Sequence, residues 1–90
     1  MATLRKYQNK KIAIYGMGLT GCSAARTLKK LGAKIFCWDD NAQVRKKIEN
    51  FNFSLNKFWL NENLVDNIVI SPGIDVNKCR IKNYLKKKFK

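Results

Sequence analysis

The stretch Ile12-Ala13-Ile14-Tyr15-Gly16-Met17-Gly18-Leu19-Thr20-Gly21 joins a short apolar run to three glycines with the spacing G-x-G-x-x-G. Lys11 to Tyr15 reads as a short buried strand that ends at Gly16. From Thr20 to Leu31 the period becomes helical, with Gly21, Ala24, Ala25, Leu28 and Leu31 on one face and Ser23, Arg26, Lys29 and Lys30 on the other. The glycines therefore lie between a strand and a helix, the context that gives this spacing meaning. Gly16 allows a tight turn, Gly18 lets the backbone approach a diphosphate, and Gly21, without a side chain, lets helix pack on strand. Amide N–H groups around Leu19, Thr20 and Gly21 then face phosphate oxygens, with the helix dipole behind them. The alternative is a strand-to-helix turn that holds nothing.

Outward from this core, Gly32 stands where a helix C-terminal glycine belongs. Lys34 to Trp38 is a second strand, and its nearly continuous apolar run Ile35-Phe36-Cys37-Trp38 fits a parallel sheet covered on both faces. Asp39-Asp40-Asn41 makes a turn and a helix start, after which Val44, Ile48 and Phe51 fall at i, i+4 and i+7. Phe53-Ser54-Leu55 suggests a short strand and Phe58 to Leu64 a helical turn, and Asn67 to Ile70 is a strand stopped by Ser71-Pro72-Gly73. From about Lys78 to Phe89 a helix is expected, with Ile81, Tyr84, Leu85 and Phe89 on one stripe. This order calls for right-handed parallel crossovers. The expected fold is α/β: a Rossmann-like parallel sheet with flanking helices, half of a doubly wound fold. Residues 1–10 read as a flexible polar lead-in to a single domain over residues 1–90.

Two further signals accompany the glycines. Asp39 ends the second strand 21 residues after Gly18, where a carboxylate accepts hydrogen bonds from a ribose hydroxyl or caps the next helix. Asp40 is a cap or a second polar contact. Ser71-Pro72-Gly73 is either a sharp turn or, at the carboxyl end of the sheet, part of a ligand site.

Composition sets the limits. Ninety residues allow one small domain with a modest core, and 46% hydrophobic content is too high for a disordered tail. The absence of His removes His-based acid–base catalysis and His metal ligands. Cys22, Cys37 and Cys79 form no C-x-x-C pair and read as reduced packing residues, so no metal site is expected. No apolar run is long enough for a signal peptide or a membrane span, which points to the cytoplasm and excludes membrane insertion. The net charge of +13 comes mostly from 15 lysines spread along the chain, beside 10 Asn and 8 Ile, all residues of A/T-rich codons. A solvated surface accounts for it, with a basic patch for an anionic ligand, nucleic acid or surface as the alternative; no specific nucleic-acid partner is expected.

Ile14-Tyr15-Gly16-Met17-Gly18-Leu19-Thr20-Gly21-Cys22-Ser23 resembles the opening of the bacterial Mur ligases, most closely their D-glutamate-adding branch with its pattern G-x-G-x-T-G-x-S. Val69-Ile70-Ser71-Pro72-Gly73-Ile74 is similar to the S-P-G-I segment of the same N-terminal domain. The resemblance implies a domain that holds UDP-N-acetylmuramoyl-L-alanine, not NAD. By position, Leu19 and Thr20 would meet the diphosphate together with Gly16, Gly18 and Gly21. Asp39, Asp40 and Asn41 would sit by uracil and ribose, and Ser71, Pro72 and Gly73 would border the sugar or phosphate side.

The family's ligation also needs ATP and magnesium, held on a loop of the G-K-[ST] type. No Gly in these 90 residues precedes a Lys, so the expectation is no catalytic residue, no cofactor bound by this chain, and no ligation by it alone. ATP-binding and C-terminal domains are absent from the stretch, and the remainder of such a ligase is one expected partner. A dinucleotide-binding half-domain of a dehydrogenase or regulatory sensor is the alternative. With no strand after the last helix, the stripe through Ile81 and Phe89 is expected to lie partly bare and to promote self-association.

Overall fold

The computed structural model describes residues 7–51 and 53–88. Three parallel strands form one sheet: β1 (Lys11–Tyr15), β2 (Lys34–Trp38) and β3 (Asn67–Ile70), in the order β2-β1-β3. Register pairs Ile14 with Cys37 on one side of β1 and with Val69 on the other. As the middle strand, β1 is covered on both faces, and Ile12 to Tyr15 are at most 2% exposed. That is why its sequence is continuously apolar rather than alternating.

Helices α1 (Leu19–Lys30) and α2 (Ala42–Glu49) pack on the Ile14 face, where Ala25, Cys37 and Ile48 are buried with Met17. α1 ends in a Schellman motif: Gly32, at φ +93°, donates to the Lys29 carbonyl and Ala33 to that of Leu28, both at 3.1 Å. α2 is capped by Asn41, whose side-chain oxygen accepts from Gln43 and Val44. Beyond it, Leu55 makes a single parallel bridge to Cys37, so the third expected strand is reduced to one rung on the outer edge of β2. The chain then crosses the opposite face through a 3-10 turn (Phe58–Leu60) to reach β3 on the far side of β1. Chain direction across the sheet thus reverses between β1 and β3, as in a doubly wound fold.

That second face holds Ala13, Tyr15, Trp38, Phe58, Val65, Ile81 and Tyr84. Phe58 meets the rings of Tyr15, Trp59 and Tyr84 edge-on, at 6.4, 5.4 and 5.7 Å. The last helix, α3 (Lys82–Lys88), packs here. The expected bare stripe is therefore corrected: Ile81 is fully buried and Tyr84 nearly so, under cover from the crossover rather than from a further strand. The argument for self-association falls with it. Phe89 lies outside the described residues.

Three boundaries differ from expectation. α2 stops at Glu49, and Phe51 leaves the apolar stripe to stand 49% exposed. α3 begins at Lys82 rather than near Lys78, because the Asp75 carbonyl accepts from Lys78 and Cys79 and its side chain accepts from Asn77, closing local turns first. Of the lead-in, residues 1–6 lie outside the described set, while residues 7–10 are docked: Lys10 donates to Tyr7 and Asn9 to Gly32.

A Cβ placed on Gly21 would lie 1.9 Å from the Gly16 carbonyl oxygen, a backbone atom that cannot move aside cheaply. Gly21→Ala is expected to cost about 3 kcal/mol or more, read as a lowered urea midpoint at unchanged m-value. Burial pushes the Cys37 thiol up to about 12. Since the folded value lies above that of the unfolded chain, its contribution is intact at neutral pH and is lost as pH rises above about 9. Melting temperature should therefore fall from about pH 9 upward, and Cys37→Ala, though less stable at pH 7, should show a shallower fall.

Candidate functional site

Three loops meet at the carboxyl edge of the sheet. Gly16 leaves β1 at φ +100° and donates to the Trp38 carbonyl at 2.8 Å, while Ser71 leaves β3 and donates to the Tyr15 carbonyl at 3.0 Å. A Cβ on Gly16 would come within 2.6 Å of Ser71 Cβ, so the glycine turn and the Ser71-Pro72-Gly73 turn touch. The latter is closed by Ile74 donating to Ser71 at 3.0 Å. This edge is the point where strand order reverses, the usual ligand crevice of open α/β sheets.

Asp39 joins the second strand to the first. Its Oδ2 accepts from the Met17 amide and its Oδ1 from the Asn41 amide, both at 2.8 Å. The carboxylate thus pins the glycine turn from the side of β2. Each oxygen retains a lone pair for another donor. Arg45 reinforces the arrangement: Nη1 donates to the Asp39 carbonyl at 2.7 Å and the guanidinium lies 4.7 Å from the Trp38 ring centroid.

Asp40 points into the other face. Tyr15 donates its hydroxyl to Oδ2, and Trp38 Nε1 donates to Oδ1 at 3.2 Å. Burial, and then this hydrogen bond, hold the Tyr15 phenol far above its ordinary range, so it stays a neutral donor. Asn41 spends its side-chain oxygen on the α2 cap. The structure therefore brings Gly16 to Gly21, Asp39 and Ser71 together, and sets Asp40 and Asn41 beside them with side chains engaged in the scaffold. Tyr15, Trp38 and Arg45 were not foreseen as supports. Arg45, one helical turn after Asn41, was the one with a local signal.

The three glycines divide by cause. Gly16 needs its positive φ, and Gly21 has no room for a Cβ. Gly18 needs neither: it is in extended conformation, and a Cβ there would meet nothing within 4 Å. It precedes a 12-residue helix with no side-chain cap and no acidic residue in its first turn. The first turn of α1 thus keeps its N–H groups free of any side-chain cap of its own beside open space, an arrangement that suits an anion. Leu19, 93% exposed, and Thr20 flank it, and Gly73 also faces open space. Among the described residues no group of three or more His, Cys, Asp or Glu side chains could hold a metal.

Residues 10–90 match the family "Mur ligase MurD-like, N-terminal domain". The UDP-N-acetylmuramoylalanine–D-glutamate ligase of Wolbachia pipientis wMel is 38% identical over 77 residues, which are 79% of this chain and 14% of that protein. The enzyme of the same name from the Wolbachia of Brugia malayi is 34% identical over 80 residues, and that of Roseobacter denitrificans 33% over 76, each match covering 82% of this chain and 16% of the relative. The chain thus spans about a sixth of the length of these curated relatives. Among solved structures, a putative D-3-phosphoglycerate dehydrogenase from Ralstonia solanacearum superposes with a TM-score of 0.63 over 77% of this chain and 20% of its own, at 14% identity. That likeness speaks for the Rossmann-like fold alone.

If Asp39 pins the glycine turn, Asp39→Ala should destabilise the chain by about 2 kcal/mol, because two amides lose a charged acceptor. The check is a denaturant melt, with amide hydrogen exchange at Met17 rising more than that of β1.

Proposed function

The chain belongs to the MurD-like N-terminal domain family of the Mur ligases, and on that premise we propose that it grips the uridine diphosphate of a UDP-N-acetylmuramoyl-peptide. UDP-N-acetylmuramoyl-L-alanine is the substrate that its relatives' name points to. The observation that carries the reading is Gly18: the fold does not require a glycine there, whereas a diphosphate lying on the backbone does.

In this reading the amides of Leu19, Thr20 and Gly21 and the Thr20 hydroxyl hold the two phosphates, with Gly16 and Gly21 setting the turn. The free lone pairs of Asp39 accept from a ribose hydroxyl. Asp40 and Asn41 shape the uracil side from positions fixed by Tyr15, Trp38 and the α2 cap, and Ser71, Pro72 and Gly73 border the phosphate and sugar side. The role is binding and orientation within a D-glutamate-adding ligase of peptidoglycan precursors. ATP and magnesium supply phosphoryl chemistry in that ligation, and these 90 residues contain no Gly-Lys step for a loop to hold them. No helix of the described residues is long and apolar enough to cross a membrane. A cytoplasmic place of action belongs to the same proposal.

Calorimetric titration of the chain with UDP, UDP-N-acetylmuramoyl-L-alanine and NADH tests this. The uridine ligands should bind and NADH should bind more weakly. Gly18→Val should weaken UDP at least about tenfold while lowering stability by only about 1 kcal/mol through a poorer cap. NADH binding tighter than UDP would favour the dinucleotide reading, and a Gly18→Val chain that binds UDP like the parent would overturn the role of the turn.

A further inference from the structure

Parallel strands all begin at one edge of the sheet, and the helices that connect them return to that edge with their C-terminal turns. Here the sorting gathers lysines. Lys29 and Lys30 end α1, Lys46 and Lys47 lie in the last turn of α2, and Lys11 and Lys34 begin β1 and β2, facing each other in register. All six are exposed and none forms a side-chain ion pair among the described residues; they outnumber the carboxylates of this edge, Glu49 at the end of α2 and Asp66, whose Oδ2 accepts from the Lys11 amide at 2.9 Å. Helix-end lysines offset helix dipoles. That does not account for Lys34 in register with Lys11, where the Asp66 carboxylate offsets at most one of two like charges on adjacent strands.

At the same edge an aromatic site adjoins the charge. Phe51, just past α2, is 49% exposed, and the Arg26 guanidinium sits 5.7 Å from its ring centroid and 6.0 Å from that of Phe53. Together with Lys29 and Lys30 these residues line a cleft of about 460 Å³. Cations that track a phosphate backbone, beside an exposed ring and a stacked guanidinium, are the features that hold unpaired nucleotides. A duplex hides its base faces, and the Arg26 guanidinium lying over the Phe51 ring suits a stacked base better than an acyl layer, which would have to desolvate that charge.

We propose that this amino-end edge binds single-stranded nucleic acid without regard to sequence, with phosphates on the lysines and a base stacked on Phe51. The site lies at the opposite end of α1 from the glycine turn and is independent of the nucleotide reading above.

The test is fluorescence anisotropy of a labelled oligouridylate of about 15 nucleotides, titrated with the chain between about 50 and 200 mM salt. Four phosphate contacts would give a log–log salt slope of about −3. Lys29→Gln with Lys30→Gln should make the slope shallower by about 1.4, and Phe51→Ala should weaken binding about tenfold at unchanged slope. Both variants alter exposed positions and should stay folded, the lysine pair melting slightly lower for its lost helix-end charges. UDP at saturating concentration should displace nothing. The proposal is overturned if Phe51→Ala binds as the parent does, if UDP competes, or if vesicles containing phosphatidylglycerol bind as tightly and with the same indifference to Phe51.

Discussion

The approach of Gly21 to the Gly16 carbonyl is the constraint on which the rest of this molecule is arranged. A methyl group at Gly21 would overlap that oxygen, so α1 lies as close to the β1 turn as backbone atoms permit. Only at this separation can the first turn of the helix open directly onto the carboxyl edge of the sheet. The turn is then held from two further sides, by the Asp39 carboxylate on the Met17 amide and by Ser71 against Gly16. A helix displaced outward would carry Met17 away from Asp39 and open the gap that Ser71 closes. One missing Cβ thus positions three loops from three strands.

What could be read from the sequence is what has a local cause. Gly16 and Gly32 stand where the backbone needs positive φ, and the runs of β1, β2 and β3 are short and apolar between clear stops. The glycine turn and Asp39 were legible for the same reason, since their spacing follows from a strand–turn–helix–strand unit. Whatever depends on distant partners was not. Phe51 fits the α2 periodicity, but its ring goes to Arg26 on another helix. Phe58 to Leu64 reads as a helical turn, but nothing local says that Phe58 and Val65 from this segment will cover Ile81 and Tyr84. Asp40 read as a cap or site contact, but its partner Tyr15 lies 25 residues away. Periodicity tells which face of an element is apolar, never which element will cover it.

The sorting of charge follows from topology as well. Spread along the chain, the lysines look like uniform solvation. Folded, the parallel sheet with returning helices collects strand starts and helix ends at one edge. The carboxyl edge carries Asp39 and Asp40, but both carboxylates already accept hydrogen bonds, Asp39 from two amides and Asp40 from Tyr15 and Trp38. Those donors are neutral and leave both charges in place, so what this edge offers an anion is the set of N–H groups in the first turn of α1, acting at contact distance. The two edges thus offer an anion different things, one directed backbone N–H groups at a tight turn, the other a surplus of mobile ammonium groups.

These two fields do not merge. α1 has 12 residues, and at 1.5 Å per residue its ends are about 18 Å apart, twice the screening length in physiological salt. In the proposed reading, a phosphate at the glycine turn would be held by amides fixed in the backbone and would gain from orientation more than from charge. A phosphate at the lysine edge is held by flexible side chains and released counterions, and it gains from charge more than from orientation. Raising the ionic strength should hence separate the two edges. The backbone cradle acts at contact distance, where screening is weak, whereas the ammonium groups act across water, where it is strong. A single small domain can thus present one rigid and one diffuse anion surface, without either disturbing the other.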